Sequence, residues 1–242
     1  MAEVRRKHDL RPLVVHDNYL INLASADALV RSKSIAAFRE ELDRSSVIGA
    51  EYVVAHPGSY RGRTIEEGIE AFVDGVAQAA RGLSLGKLML LVEGTAGSGA
   101  ALGWRFEELR AIRDLAARKT DLPVGYCLDT CHLLAAGYDV ASEQGLRIAV
   151  RQMDEILGLE NLKVIHANDS KGPLGSHKDR HENIGKGHIG RNGFRRILAH
   201  PKLRSKPFIL ETPIDREGDD RRNLETLKKL CPKRRTTTTK SS

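Results

Sequence analysis

The sequence predicts an α/β fold built on one parallel sheet curling toward a barrel, and three observations carry that expectation. Six short apolar, β-branched-rich runs recur along the chain, segments of helical period separate them, and each run ends in a polar side chain of metal-ligand type. The first run is LRPLVVHD, residues 10 to 17, followed by the amphipathic stretch SADALVRSKSIAAFREELDRSSVIG. EYVVAHP at 51 to 57 comes next and leads into TIEEGIEAFVDGVAQAARGL, again at helical spacing. KLMLLVEG (87 to 94), VGYCLDT (124 to 130), LKVIHAND (162 to 169) and PFILETP (207 to 213) complete the set. Continuous apolar runs of this length read as strands buried on both faces. Their separation by helices at roughly 35 to 40 residues favours crossover connections over hairpins.

At 242 residues with 40% apolar content, the chain suits one large domain, expected over 1–232. The remainder, KRRTTTTKSS at 233–242, reads as a disordered basic tail. No run of about 18 apolar residues is present to span a bilayer, and the opening MAEVRRKHDLRP has no apolar signal core. Three cysteines are too few for a disulfide framework. Together these features predict a cytoplasmic protein that avoids membranes. The net charge of +7 and pI near 9.4 attract polyanions, nucleic acid among them, although the tail supplies several of those charges.

The residues closing the six runs are His16, His56, Glu93, Asp129, His166 and Glu211. One histidine or aspartate after a strand is ordinary, because such residues cap helices and satisfy loops. Recurrence in all six units is not ordinary, since parallel strands of a barrel converge at their C-terminal ends and would aim all six side chains into one mouth. Buried carboxylates crowded there would repel and protonate unless cations neutralised them.

The stretch VGYCLDTCHLLAAGYD places Cys127, Asp129 and Cys131 on one face if the strand continues through it, with Asp129 and His132 at its mouth. A cysteine zinc site would need more thiols than the remaining Cys231 supplies, and a catalytic Cys-His pair leaves the other strand ends unexplained. The thiols are therefore read as packing residues.

Residues 168 to 190, NDSKGPLGSHKDRHENIGKGHIG, read as a long flexible connection in which Asp179 and His181, two apart, can form a carboxylate-imidazole chelate. Lys171, Lys178, Arg180 and Lys186 suit phosphate contacts. His177 and His188 carry no clear assignment, and His8 and His200 read as surface residues. The candidate ligands are thus His16, His56, Glu93, Asp129, His132, His166, Asp179, His181 and Glu211. That many suit about three zinc ions; the mixed imidazole and carboxylate set also accepts manganese or iron.

With these residues in view, the chain resembles the endonuclease IV family of apurinic/apyrimidinic endonucleases. The matching blocks are HDNYLINLA, HPGS, VEGTAGSG, LDTCH with AAGYD, HANDS, DRHENIGKGHIG and LETP, from about residue 13 to 213 and in the family's order. The resemblance implies a TIM-like (β/α) barrel with a trinuclear zinc site. His16 and His56 would hold one ion and share Glu93 with a second, which would also take Asp129, His166 and Glu211. His132, Asp179 and His181 would hold the third. It further implies that Tyr19 and Leu20 probe the minor groove, while Lys171 and Arg180 are expected to meet phosphates. Glu93 would also orient the attacking hydroxide, so it is the expected catalytic residue. The implied reaction is hydrolysis of the phosphodiester 5′ to an abasic site in double-stranded DNA, with removal of 3′-blocking groups, as in base excision repair. A monomer is expected.

One departure accompanies the match. The family carries two further strand-helix units before its first ligand block, so the expected fold is a barrel lacking those two units. Two other functions fit parts of the pattern: a sugar isomerase or epimerase sharing this barrel, and a shortened paralogue that binds DNA without cutting it.

Overall fold

The computed structural model describes residues 2–232; the expected tail at 233–242 lies outside the described residues. After a short helix α1 (Ala2–Lys7), strands β1 (Val14–His16), β2 (Tyr52–Ala55), β3 (Met89–Gly94), β4 (Val124–Asp129) and β5 (Leu162–His166) alternate with helices α2 (Ala28–Val47), α3 (Ile65–Ala80), α4 (Phe106–Lys119), α5 (Thr130–Ala136) and α6 (Glu143–Gln152). A π-helical turn, Met153–Leu157, extends α6. A hairpin of two short strands, β6 (Asp169–Ser170) and β7 (His181–Glu182), precedes α7 (Gly190–Ala199), strand β8 (Phe208–Ile209) and α8 (Asp219–Leu230).

The main sheet has six strands in the order β1-β2-β3-β4-β5-β8, with every neighbouring pair parallel. Each strand of the six is the expected one. The sheet is open: β1 and β8 each have a single neighbour among the described residues. Both are short and half-buried along their length, unlike the fully buried strands that the sequence suggested, because one side of each is left without a partner strand.

Side chains alternate across the sheet as the pleat requires. Val53, Ala55, Leu90, Val92, Tyr126, Leu128 and Ile165 face the helices and join the larger core. Val54, Leu91, Cys127 and Val164 face the other way and form a small cluster in the concavity, against which Val14 of β1 and Ile209 of β8 also pack. Two edge strands can share one inner cluster only if the sheet curls. The curl is visible in the rings of His16 and His166, whose centroids are 5.9 Å apart. In a flat sheet their strands would be about 19 Å apart at the usual spacing.

Local chemistry fixes the helices. Thr64 and Glu67 form a reciprocal capping box at the start of α3. Asp27 accepts from the amides of Leu29 and Val30 to begin α2. Arg39 of α2 donates to the carbonyls of Ala79 and Arg81, closing the C-terminal end of α3 and locking the two helices together. The turn after β2 needs its glycine: Gly58 has φ +84°, and a Cβ there would stand 2.3 Å from Asn22 Oδ1. That close approach lets Asn22 bond the backbone of Ser59 in both directions, joining the loop after β1 to the loop after β2.

Candidate metal centre

The inner-face register of the strands runs directly into the site. On β2 the concave residues Tyr52 and Val54 are followed two positions on by His56; on β3, Leu91 is followed by Glu93; on β4, Cys127 by Asp129. Val14 leads to His16, Val164 to His166 and Ile209 to Glu211 in the same phase. The period-two pleat that buries an apolar cluster below therefore aims six polar side chains into the same concavity above it.

Glu93 sits at the centre, fully buried. Its Oε2 is 3.0 Å from His16 Nε2 and 3.9 Å from His56 Nε2, and its Oε1 is 3.0 Å from His166 Nδ1. The same His166 nitrogen is 3.0 Å from Glu211 Oε2. Potential ligand atoms of His16, His56 and Glu93 all lie within 4.8 Å of one another, as do those of Glu93, Asp129, His166 and Glu211. A third gathering stands beside these. Asp179 Oδ1 is 3.2 Å from His132 Nε2 and 3.3 Å from His181 Nε2, and His181 Nε2 is 3.8 Å from Asp129 Oδ2. All nine sequence-derived candidates thus meet in one basin.

Backbone carbonyls set the imidazoles. Nδ1 of His16 donates to Asp17 O at 2.9 Å, Nδ1 of His132 to Gly94 O at 2.9 Å, and Nδ1 of His181 to Glu211 O at 3.0 Å. Each ring, with Nδ1 engaged by a carbonyl, turns its Nε2 inward, the nitrogen that would bind a cation. Nε2 of His132 and of His181 are both buried without a hydrogen-bond partner. Ring nitrogens without a partner in a buried, carboxylate-lined pocket fit an ion well, whereas a purely structural cluster would leave them as a cost.

Electrostatics agree. Burial favours the neutral acid at Glu93, yet the imidazoles of His166, His56, His132 and His16 outweigh it and hold the carboxyl well below its usual range. Burial likewise opposes charge on His16, but hydrogen bonds to the carboxylates of Asp17 and Glu93 push its pKa up to about 10. His132 is raised well above its usual value, against burial, by Asp129, Asp179 and Glu93. The carboxylates favour positive charge on His16 and His132, and would favour cations in place of those protons.

Asp129 has two tasks. Its Oδ1 caps α5 by accepting from His132 N at 2.8 Å, and its Oδ2 takes a bond from Asn168 Nδ2. Because α5 begins at Thr130, Cys131 lies on the helix and does not continue the strand face shared by Cys127 and Asp129, correcting the expected alignment. Both thiols are buried, and burial raises them to about 12 at Cys127 and about 11 at Cys131, so they stay protonated. Cys127 nonetheless lies within reach of Glu93 and His166, and Cys131 within reach of Asp179 and His181.

The segment 168–190 is not the flexible connection expected from its glycines. Its β6–β7 hairpin pairs Ser170 with His181, and the buried Asp169 carboxylate gathers backbone amides from both ends of the segment. His177 is also placed, with Nδ1 donating to Ala96 O and its ring edge-on to Trp104.

Tyr19 and Leu20 stand at the mouth, 85% and 70% exposed, and Lys171 and Arg180 are exposed on the hairpin side. A cleft of about 360 Å³ lined by Tyr19, Asn22, His56, Ser59, His132 and Asp179 opens from the cluster. Sequence reasoning missed Asp17, Asn168 and Asp169, all buried polar residues within three positions of a ligand-type residue. The only available signal was that proximity, in HD and HAND.

No helix among the described residues is long and apolar enough to cross a membrane. Residues 1–230 match the family model described as a xylose isomerase-like TIM barrel. A probable endonuclease 4 of Solibacter usitatus is 61% identical over 231 residues, covering 96% of this chain and 80% of that one. One from Chloroflexus aurantiacus is 41% identical over 228 residues, covering 93% and 79%. The crystal structure of endonuclease IV from Thermus thermophilus superposes with a TM-score of 0.80 at 38% identity, covering 94% of this chain and 78% of that one. A D-tagatose 3-epimerase-like protein shares the fold at a TM-score of 0.69 and 20% identity. With its six-stranded parallel sheet, its convergent imidazoles and carboxylates and these relatives, the chain belongs to the endonuclease IV family of hydrolases.

Proposed function

We propose that the protein is a zinc-dependent endonuclease that hydrolyses the phosphodiester 5′ to abasic sites in duplex DNA, leaving a 3′-hydroxyl, and that clears blocked 3′ ends. The observation that carries this reading is the meeting of nine imidazole and carboxylate side chains in one basin, with Nε2 of His132 and His181 left orphaned. His16, His56 and Glu93 would hold one ion; Glu93, Asp129, His166 and Glu211 a second; His132, Asp179 and His181 the third. Ions held there supply Lewis acidity, neutralising phosphate charge and making water a nucleophile near neutral pH.

The protein's own groups do the rest. Glu93, ionised and shared between two ligand sets, accepts a hydrogen bond from the attacking water and fixes its line of approach. The backbone bonds at Nδ1 of His16, His132 and His181 hold the rings in one orientation throughout turnover. Tyr19 and Leu20, exposed at the mouth, would enter the minor groove beside the lesion, and the exposed Lys171 and Arg180 would neutralise the flanking phosphates. A nucleotide without a base leaves the stack cheaply, which gives lesion selectivity without sequence readout.

A duplex carrying one tetrahydrofuran abasic analogue tests the reading. Incision on the 5′ side, abolished by a chelator and restored by zinc, is the expected result. An intact strand at stoichiometric protein with zinc present would overturn it, and aldose-ketose turnover in its place would assign the basin to sugar isomerisation.

A further inference from the structure

Asp169 is fully buried and its side chain hydrogen-bonds to none of the nine candidate ligands, yet it is the most heavily bonded carboxylate of the described structure. Its Oδ1 accepts from Ser170 N at 2.9 Å, Ile189 N at 2.9 Å and Gly190 N at 3.3 Å. Its Oδ2 accepts from Gly185 N at 2.9 Å, Gly187 N at 3.0 Å and Gly190 N at 3.2 Å. The backbone around it is shaped for this. Gly185 and Gly190 take positive φ, +81° and +67°, and a Cβ on Gly187 would stand 2.3 Å from Ser170 O and 2.6 Å from Asp169 Oδ1.

The clasp encloses the segment that brings the third ligand pair. Asp169 opens β6, whose partner β7 begins with His181; Ser170 pairs with His181 and Lys171 N donates to Arg180 O at 2.9 Å. Beyond β7, residues 185 to 190 fold back onto the Asp169 carboxylate, and His188 N donates to Ser170 O at 2.9 Å. His181 is held between a hairpin on one side and the clasped return on the other, with Asp179 two residues before it. Six of the other candidates stand on main-sheet strands or within two residues of their ends, and His132 on α5 capped by Asp129. Only Asp179 and His181 depend on this excursion for their place.

We propose that Asp169 is a positioning residue that builds the third ion position, independently of the two positions centred on Glu93. This rests on the three-ion reading above. Both of its oxygens are needed as acceptors. Asparagine would turn one into an NH₂ donor facing backbone N–H groups on whichever side it points, breaking at least two of the bonds and setting donors against each other.

Zinc content after gel filtration, paired with tryptic cleavage at Lys178 and Arg180, tests the assignment. Wild type is expected to retain about three equivalents and D169N about two, with cleavage at those sites at least about tenfold faster in the variant. Should D169N fail to fold, G187A attacks the same clasp from the loop side and is read the same way. A folded variant that keeps about three equivalents overturns the proposal. So does one that loses all its zinc together, since that marks a general structural role. Wild type holding fewer than about three equivalents instead defeats the three-ion reading itself, and this inference with it.

Discussion

Glu93 concentrates the chemistry of the site in one side chain. It has no exposed surface, four imidazoles oppose its burial, and both oxygens are engaged by rings from β1 and β5. Replacing it by glutamine keeps the volume and removes the charge, so two ion positions lose their shared ligand while the third is left intact. Glu93→Gln should lower abasic-site incision by roughly 10³-fold or more and reduce zinc content, with thermal stability of the metal-free form changed far less than activity. Incision and zinc analysis on the same preparation check it; near-normal cutting would remove Glu93 from the catalytic role. At this scale the sequence was informative wherever a residue closes an apolar run, because the run fixes the pleat and the pleat fixes the direction of the next inward side chain. It was silent on Asp17, Asn168 and Asp169. Each is also polar and near a strand end, but its contacts depend on backbone groups brought close by folding, as with Asp169 and the amides of residues 185 to 190.

Among elements, the loops after β1 and β2 form one unit although 37 residues separate their linked positions. Asn22 and Ser59 bond reciprocally across the mouth, and Gly58 provides the space. Alanine at Gly58 meets two obstacles, the positive φ and the Asn22 carboxamide, which predicts a loss of about 2 kcal/mol and a Tm lower by about 4 to 8 °C. The same change should displace Tyr19 and Leu20, raising Kd for an abasic duplex while zinc content holds. Calorimetry and a binding titration on Gly58→Ala check both parts; unchanged DNA affinity would separate the exposed loop from the HPGS turn. The six main strands and helices such as α3 could be read from hydrophobic period because each is a local pattern repeated over several residues, whereas the buried face of α2, Ser34, Phe38, Leu42 and Ser45, is half serine. The hairpin could not: β6 and β7 are two residues each, too short for a period, and their pairing is stabilised by a buried carboxylate rather than by alternation. Helix α1 and the π-helical turn at Met153–Leu157 were likewise invisible to periodicity.

For the whole molecule, the candidate ligands run from residue 16 to residue 211: six come from the main-sheet strands or the turns that follow them, His132 from α5, and Asp179 and His181 from the β6–β7 excursion. Bound ions would therefore join the two open edges through the centre of the concavity, and ligands that bind only the folded chain stabilise it by mass action. The pocket's acid-base behaviour makes this linkage pH-dependent with opposite signs in the two forms. Without metal, His16 has a folded pKa raised from 6.5 to about 10, so its protonation favours the folded state. That contribution is complete below about pH 6.5 and fades as pH rises through about 10. With zinc, the rings must be neutral to coordinate, so protons compete with the ions and the stabilisation by metal grows as pH rises. Chelator-stripped protein should consequently lose stability between pH 6.5 and 9 while zinc-loaded protein does not, and the gap between their Tm values should widen across that window. Thermal unfolding of both forms at pH 6, 7.5 and 9, with zinc held stoichiometric, measures the gap directly. A gap that stays constant or narrows with pH would mean that the rings around Glu93 do not exchange protons for ions, and the basin would then be a self-contained hydrogen-bonded core.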